Sequence, residues 1–423
     1  MNNLAINGGK PVREKEFPTK LLGASLIGSE EMKELADVVK EKSPFRHYGL
    51  GNPHKTEDFE SEARKMLGAK YALAVSSGSA ALICAVNALG IGPGDEVIIP
   101  GFGWFSDYNC IVGTGALPVF ADIDDSMTIS PVDFERKITS KTKAVIVVHY
   151  QGGQADMDKI MSIAKAKDIK VIEDCAQAFG GTYKGQCLGT IGDIGISSFQ
   201  ANKIITCGEG GILYTSNEEY FTRAVRYHDL GYVRPVFEKQ LGNKDASKDE
   251  YSFAGNQYRM SDLQGAFILA QLRKLPGMLE KCRNYHDLIK NRFKSSKNFT
   301  FRPEHEGNCG ITLFLKFKTS EEATNFSESL KCEGIPIGPS SGCCNIVDEY
   351  PIMTRKVANE NLPPFGEGYD GRNVEYSSKK DCPNTNEITS CYFAIGVGPQ
   401  YSDEEVNDII TAIEKVENTL YSK

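Results

Sequence analysis

Short apolar runs of strand length alternate with amphipathic stretches over much of the first 230 residues. YALAVSS (71–77), DEVIIP (95–100), PVFADI (118–123), KAVIVVHYQG (143–152), KVIEDC (170–175), GDIGISSFQ (192–200) and GGILYTS (210–216) read as strands. FESEARKMLG (59–68), SAALICAVNALG (79–90) and MDKIMSIAKAKD (157–168) read as helices between them. Strands that are apolar on both faces, separated by helices, predict a largely parallel sheet covered on both sides. The last strands are short and close together, so the sheet is expected to be mixed.

The texture changes after residue 258. YRMSDLQGAFILAQLRKLPGMLEKCRNYHDLIKNRF (258–293) is long helical material with an apolar stripe, expected to break near Pro276. ITLFLKFK (311–318) predicts a strand, EEATNFSESLKCEG (321–334) a helix, and DEEVNDIITAIEKVENTL (403–420) a terminal amphipathic helix. Residues 336–390, rich in Pro, Gly, Asn and Cys, give no periodic pattern. A large domain with an N-terminal arm is expected over 1–275 and a smaller α+β domain over 276–423.

Composition narrows the function. The chain of 423 residues is 40% apolar and 25% charged, a normal globular balance. Its formal charge of -8 does not invite nucleic acid or an anionic membrane, and no apolar run approaches a bilayer span. The opening MNNLAINGGKPVR lacks an apolar signal core, so a cytoplasmic protein is expected. Twelve scattered cysteines show no C-x-x-C pair and six histidines form no H-E-x-x-H. No metal site is therefore expected, and most cysteines are read as small buried hydrophobes.

The chemistry gathers at strand ends, where sites form in parallel sheets. SSGSAAL (76–82) places Ser77, Gly78 and Ser79 between a strand and a helix. Backbone N–H groups and hydroxyls there suit an anion, although an ordinary helix cap by itself accounts for them better. KVIED ends in Glu173 and Asp174, with Gln177 three residues beyond; a third strand ends in Ser197 and Ser198, followed by Lys203 and GEGG. Trp104, the single tryptophan, follows DEVIIP.

An amine, an acid, an anion nest and a flat apolar surface are what pyridoxal 5'-phosphate requires. Lys203 offers the amine and Asp174 the acid for the pyridine nitrogen. Gly78, Ser79 and Ser198 offer the nest, and Trp104 the stacking surface. The same parts also suit a sugar-phosphate or nucleotide enzyme.

The ordered run EDCAQ…SSFQANK…GEGG carries a resemblance. With it stand GAKYALAVSSGSAALICAVNALGIGPGDEVIIP (68–100), ADIDDSMTISP (121–131) and GNQYRMSDLQGAFILAQLRKL (255–275). Over nearly its whole length the chain resembles the DegT/DnrJ/EryC1/StrS family of sugar aminotransferases, in particular its scyllo-inosose and ketosugar branch. The resemblance implies an α/β, type I pyridoxal-phosphate transferase (aspartate aminotransferase) fold. That fold has a three-layer αβα large domain and a smaller α+β C-terminal domain.

It further implies Lys203 as the lysine that holds the cofactor and shuttles a proton, and Asp174 as the partner of the pyridine nitrogen. Gln177 is then near the ring's 3-oxygen, Trp104 stacks on the ring, and Gly78, Ser79 and Ser198 bind phosphate. A homodimer with shared active sites is implied, in which Gln257 reaches the partner's phosphate from a position where asparagine is commoner. The implied reaction moves an amino group from glutamate or glutamine to a keto sugar, nucleotide-linked or free, or to a keto cyclitol. Relatives with histidine at the Lys203 position remove a hydroxyl instead, and others keep the lysine but deoxygenate with an iron–sulfur partner. A regulatory protein that kept the fold is the alternative of another class. Residues 339–373 depart from the family's acceptor-pocket stretch and leave the acceptor open.

Overall fold

The computed structural model describes residues 3–18, 21–51, 54–241, 253–338, 344–355, 357 and 359–421. Seven strands build the large sheet: β1 (Tyr71–Val75), β2 (Glu96–Pro100), β3 (Leu117–Ala121), β4 (Thr142–Val148), β5 (Lys170–Asp174), β6 (Ile194–Ser198) and β7 (Gly211–Thr215). Their spatial order is β1-β7-β6-β5-β4-β2-β3. The pairs from β3 through β6 are parallel, and β7 runs antiparallel to both its neighbours. Residues 199–210 hold no helix, so the chain returns directly beside β6 and reverses direction. That return carries Lys203.

Alternation along the strands sorts the core into two layers. Val145 and Val147 of β4 join one apolar cluster, and Ala144 and Ile146 the other. The first is closed by α2 (Lys55–Leu67), α5 (Pro131–Lys137), α6 (Met157–Lys167) and α8 (Asp262–Arg292), with α1 (Ser29–Lys40) lying on α8. The second is closed by α3 (Gly78–Ala88), α4 (Phe105–Val112) and α7 (Glu218–His228).

Pro276 does not break α8. A proline inside a helix costs about 3 kcal/mol, while each large apolar side chain buried returns about 1.5–3 kcal/mol. Leu272, Leu275, Met278 and Leu279 are all buried around it and carry the helix through. Its start is fixed by a capping box: Ser261 Oγ takes the Gln264 N–H at 3.3 Å and Gln264 Oε1 takes the Ser261 N–H at 3.0 Å.

A second, antiparallel sheet has the order β8 (Thr300–Phe301), β9 (Thr312–Lys316), β11 (Tyr392–Gly396), β10 (Ile337–Gly338). Phe326 of α9 (Ser320–Cys332) and Ile409 and Ile413 of α10 (Asp403–Tyr421) pack with Leu313, Leu315 and Ile395 of this sheet. Part of the patternless stretch packs on the outer strand of the large sheet. Tyr376 donates its hydroxyl to the Pro118 carbonyl at 2.7 Å, and Thr385 Oγ1 donates to Asp122 at 2.6 Å. Residues 339–343, 356 and 358 of that stretch lie outside the described residues.

One buried ion pair ties the segment before α2 to β1. Arg46 Nη2 donates to both oxygens of Glu60 at 2.6 Å, and Glu60 Oε1 also takes the Ala74 N–H at 2.6 Å. Glu60→Leu leaves a buried guanidinium without its counter-charge, and the expected loss of stability is about 3–5 kcal/mol. Urea unfolding checks this; an unchanged midpoint overturns it.

Candidate active site

The C-terminal ends of β4, β5 and β6 open on a cavity of about 620 Å³, and Thr312, Gly338 and Gly396 of the small sheet close its other side. Gly78, Ser79, Trp104, Asp174, Gln177, Ser198 and Lys203 all line it. A roomier groove of about 940 Å³ runs past Asp125, Glu304 and Lys316. Among its charges Lys316 pairs with Asp125, and Glu304 with His286, Lys290 and Arg302. The reactive groups meet in the smaller cavity.

One wall is the N-terminus of α3. Ser77 caps it, its hydroxyl taking the Ala80 N–H and its carbonyl the Ala81 N–H, both at 3.1 Å. The Gly78 and Ser79 N–H groups thus head the helix at the cavity. Gly78 is required by close approach, because a Cβ there would lie 2.6 Å from the Ser198 Cβ. The Ser79 and Ser106 hydroxyls share a hydrogen bond of 2.6 Å beside it. This concave set of amides and hydroxyls fits a phosphate.

Asp174 ends β5 only 6% exposed, and its Oδ1 takes the Ala176 N–H at 2.7 Å. Asp107, in the first turn of α4 and 1% exposed, stands within hydrogen-bonding reach of it. Burial, and then the neighbouring Asp174, push the Asp107 carboxyl well above the usual carboxylate range, while Lys203 pulls it down. Burial also raises Asp174, against the Ala176 N–H, Lys203 and a hydrogen bond from Asp107. Two like charges 4 Å apart repel by about 4 kcal/mol at an effective dielectric constant near 20. A helix N-terminus returns only about 0.3–1 kcal/mol to an acid in its first turn. Both shifts run in the direction of a retained proton.

Sequence reasoning missed Asp107. Its signal is present in GWFSDYNCI: Asp107 shares a helix face with Cys110 and Ile111, and all three are buried. An acid on an apolar stripe is the pattern that marks it. Gln151 was also missed. It takes a left-handed conformation (φ 48°, ψ 49°) at the cavity wall, with its Oε1 accepting from the Thr312 hydroxyl at 3.1 Å. Its N–H goes to Gln177 Oε1 at 3.2 Å, which orients that amide with Nε2 as the donor end. The glycines of HYQGGQ mark a turn without telling which residue takes the positive φ.

Lys203 is held through its backbone. Its N–H donates to the Gln200 carbonyl at 3.0 Å and its carbonyl takes the Gly23 N–H at 3.4 Å. Thr206 staples the same loop, donating to the Phe199 carbonyl at 3.0 Å and taking the Gly208 N–H at 2.9 Å. Trp104 stands at the N-cap of α4, 54% exposed within the cavity, with Phe105 edge-on to it at 5.4 Å. A half-exposed indole there is a surface for a planar ligand.

Gln257 lies elsewhere in the single chain. It is exposed, and its backbone bridges Asp229 next to the exposed Leu230 and Tyr232.

His149, Glu173 and Cys175 cluster just beneath the site. Glu173 takes hydrogen bonds from His149 Nε2 at 3.0 Å and from the N–H groups of Gly189, Ile191 and Gly192 at 2.8, 2.8 and 2.6 Å. His149 Nδ1 accepts the Ala155 N–H at 3.2 Å, so Nε2 carries the ring proton. That ring has no lone pair left for a metal, and the cluster is a clamp on the 189–192 loop.

The profile of the DegT/DnrJ/EryC1/StrS aminotransferase family matches residues 26–355. The chain belongs to this family. It is 31% identical over 392 residues to the spore coat polysaccharide biosynthesis protein SpsC of Bacillus subtilis (strain 168), covering 92% of this chain and 95% of that one. It is 32% identical over 351 residues to the GDP-perosamine synthase of Escherichia coli O157:H7, covering 82% and 90%. Its fold matches that of the E. coli GDP-4-keto-6-deoxy-D-mannose-3-dehydratase with a TM-score of 0.77, at 22% identity over 94% of this chain and 100% of that one. The α/β architecture, with its large mixed sheet between helices and its smaller antiparallel sheet, is thus that of the type I transferases, as the resemblance implies. Among the described residues of this DegT/DnrJ/EryC1/StrS member, no helix is long and apolar enough to cross a membrane.

Proposed function

We propose that the chain is a pyridoxal 5'-phosphate-dependent aminotransferase that moves an amino group from glutamate or glutamine to a keto sugar, nucleotide-linked or free, or to a keto cyclitol. The observation that carries this reading is the convergence of Lys203, Asp174, Trp104 and the α3 N-terminus on one cavity. The parts fit the cofactor: a cradle that a Cβ at Gly78 would fill, a buried acid, and an exposed indole face.

When bound, the cofactor supplies the electron sink that lets an amino acid release its α-proton. Lys203 Nζ would hold it covalently and, as a free amine, would carry the substrate's α-proton across to the cofactor. Asp174 keeps a proton at the ring nitrogen, a preorganised charge in a dry site. Gln177 presents Nε2 to the ring's oxygen, and Trp104 keeps water from one face.

Lys203 favours transfer over dehydration, because an amine both holds the cofactor and moves the proton, whereas an imidazole does only the second. Among the described lining residues, the ionisable side chains are Asp107, Asp174, Glu209, Lys203 and Tyr401; the other polar side chains are Ser, Thr, Gln, Asn and Trp. Such a wall suits a hydroxyl-rich acceptor. The test loads the protein with pyridoxal phosphate, bleaches its visible absorbance with glutamate or glutamine, and then offers keto sugars, nucleotide-linked keto sugars and inososes. Recovery of the absorbance names the acceptor. A loaded protein that no amino donor bleaches overturns the proposal.

The proposed assembly is a homodimer in which Gln257 reaches the partner's phosphate site. The exposed Tyr48, Leu50, Leu230 and Tyr232 support a covered face, two of them next to Gln257. Mixing Lys203→Ala subunits with Gln257→Trp subunits is expected to restore activity in one of the two sites of each mixed dimer. No recovery after demonstrated subunit exchange, or a fully active monomer, removes the shared site.

A further inference from the structure

We propose that Asp107 and Asp174 form a carboxyl dyad holding a single proton on Asp107, whose hydrogen bond keeps Asp174 the carboxylate that faces the ring nitrogen. Both carboxyls are buried in the wall of the same cavity, within hydrogen-bonding reach of each other. Their other partners differ. Asp174 Oδ1 takes the Ala176 N–H, whereas Asp107 Oδ1 is buried with no partner among the described residues. An unpartnered oxygen costs far more on a carboxylate than on an acid, whose hydroxyl donates from the other oxygen. The proton therefore sits on Asp107.

The surroundings agree. Lys203 lines the same cavity from the loop after β6 and lowers both acids. His149, at the end of β4, donates at Nε2 and accepts at Nδ1, the pattern of a neutral ring. Cys110, on α4 itself, has its thiol pushed well up by burial, then by both acids.

Asp107 thus acts through Asp174 and is a positioning residue. The shared proton is a property of the chain alone; only its consequence for the ring nitrogen rests on the proposed function.

Infrared spectra of the full chain without cofactor, at neutral pH, test the proton. The carbonyl stretch of a protonated acid is expected, with a component lost in Asp107→Asn. Binding of pyridoxal phosphate against pH tests the consequence. Asp107→Asn still donates to Asp174 and is expected to bind within a few-fold of wild type. Asp107→Leu has no donor and is expected to bind about tenfold more weakly. In that variant Asp174 takes a proton more readily, so binding fails at a higher pH as the solution is acidified.

The dyad is overturned by a wild type without an Asp107-dependent acid band, by a band that depends on Asp174 alone, or by an acid limb that shifts in Asp107→Asn. A Leu variant that folds and binds like wild type overturns it too. If Asp107→Leu does not fold, the band and the Asn limb decide. If the wild type takes up no pyridoxal phosphate, the proposed function fails and the band alone decides the dyad.

Discussion

Lys203→Ala is expected to abolish both half-reactions, with amino donor and with keto acceptor, in a protein that still folds. Loss of a positioned proton carrier alone is worth roughly 10²–10⁴-fold, and the covalent hold on the cofactor goes with it. The fold survives because the loop is anchored through main chain and Thr206, not through the ammonium group. Substitutions away from such anchors cost about 0.5 kcal/mol or less. Borohydride reduction of the loaded wild type is expected to fix the cofactor on Lys203, found by peptide mapping. A label on Lys184, which pairs with Asp158 at the surface, would defeat the assignment, as would normal turnover by the alanine variant.

The strands were legible because the large sheet is apolar on both faces, so runs such as VIVV in β4 stand out whichever face each residue takes. The reversal of β7 was legible from the lack of helix between it and β6. Continuity of α8 through Pro276 was not, because it depends on tertiary burial of the leucines and methionine around the proline. Tyr376 and Thr385 escaped for a related reason: they settle by contacts to β3 and Asp122, distant in sequence.

Within the site, the groups that terminate strands were visible, since strand ends in such sheets are where sites form. Asp107 and Gln151 come from a helix face and a left-handed turn. Their roles depend on which neighbour they meet, Asp174 for one and Gln177 for the other. Gln257 belongs to a question that a single chain does not pose, since its side of the molecule faces outward.

Asp174→Asn is expected to bind the cofactor more weakly than wild type and, when saturated with it, to lose at least about 10²-fold in turnover, the scale for removing one preorganised electrostatic contact. The amide retains the size of the side chain and an oxygen for the Ala176 N–H, so folding is expected to hold. What goes is the charge that keeps a proton on the ring nitrogen. The substitution also removes one of the influences that hold the Asp107 proton in place. Asp107 then ionises at lower pH than before, beside the same cavity. The sign follows: a carboxyl whose proton is retained to higher pH in the wild type releases it earlier once its like-charged neighbour is neutral, so negative charge returns as pH rises. Residual activity of Asp174→Asn is therefore expected to climb with pH where the wild type is flat, and the Asp107→Asn/Asp174→Asn double variant is expected to lose that climb. Turnover profiles of the three proteins decide it. An Asp174→Asn variant within a few-fold of wild type at neutral pH removes Asp174 from the ring nitrogen. A climb that persists in the double variant removes Asp107 as its source.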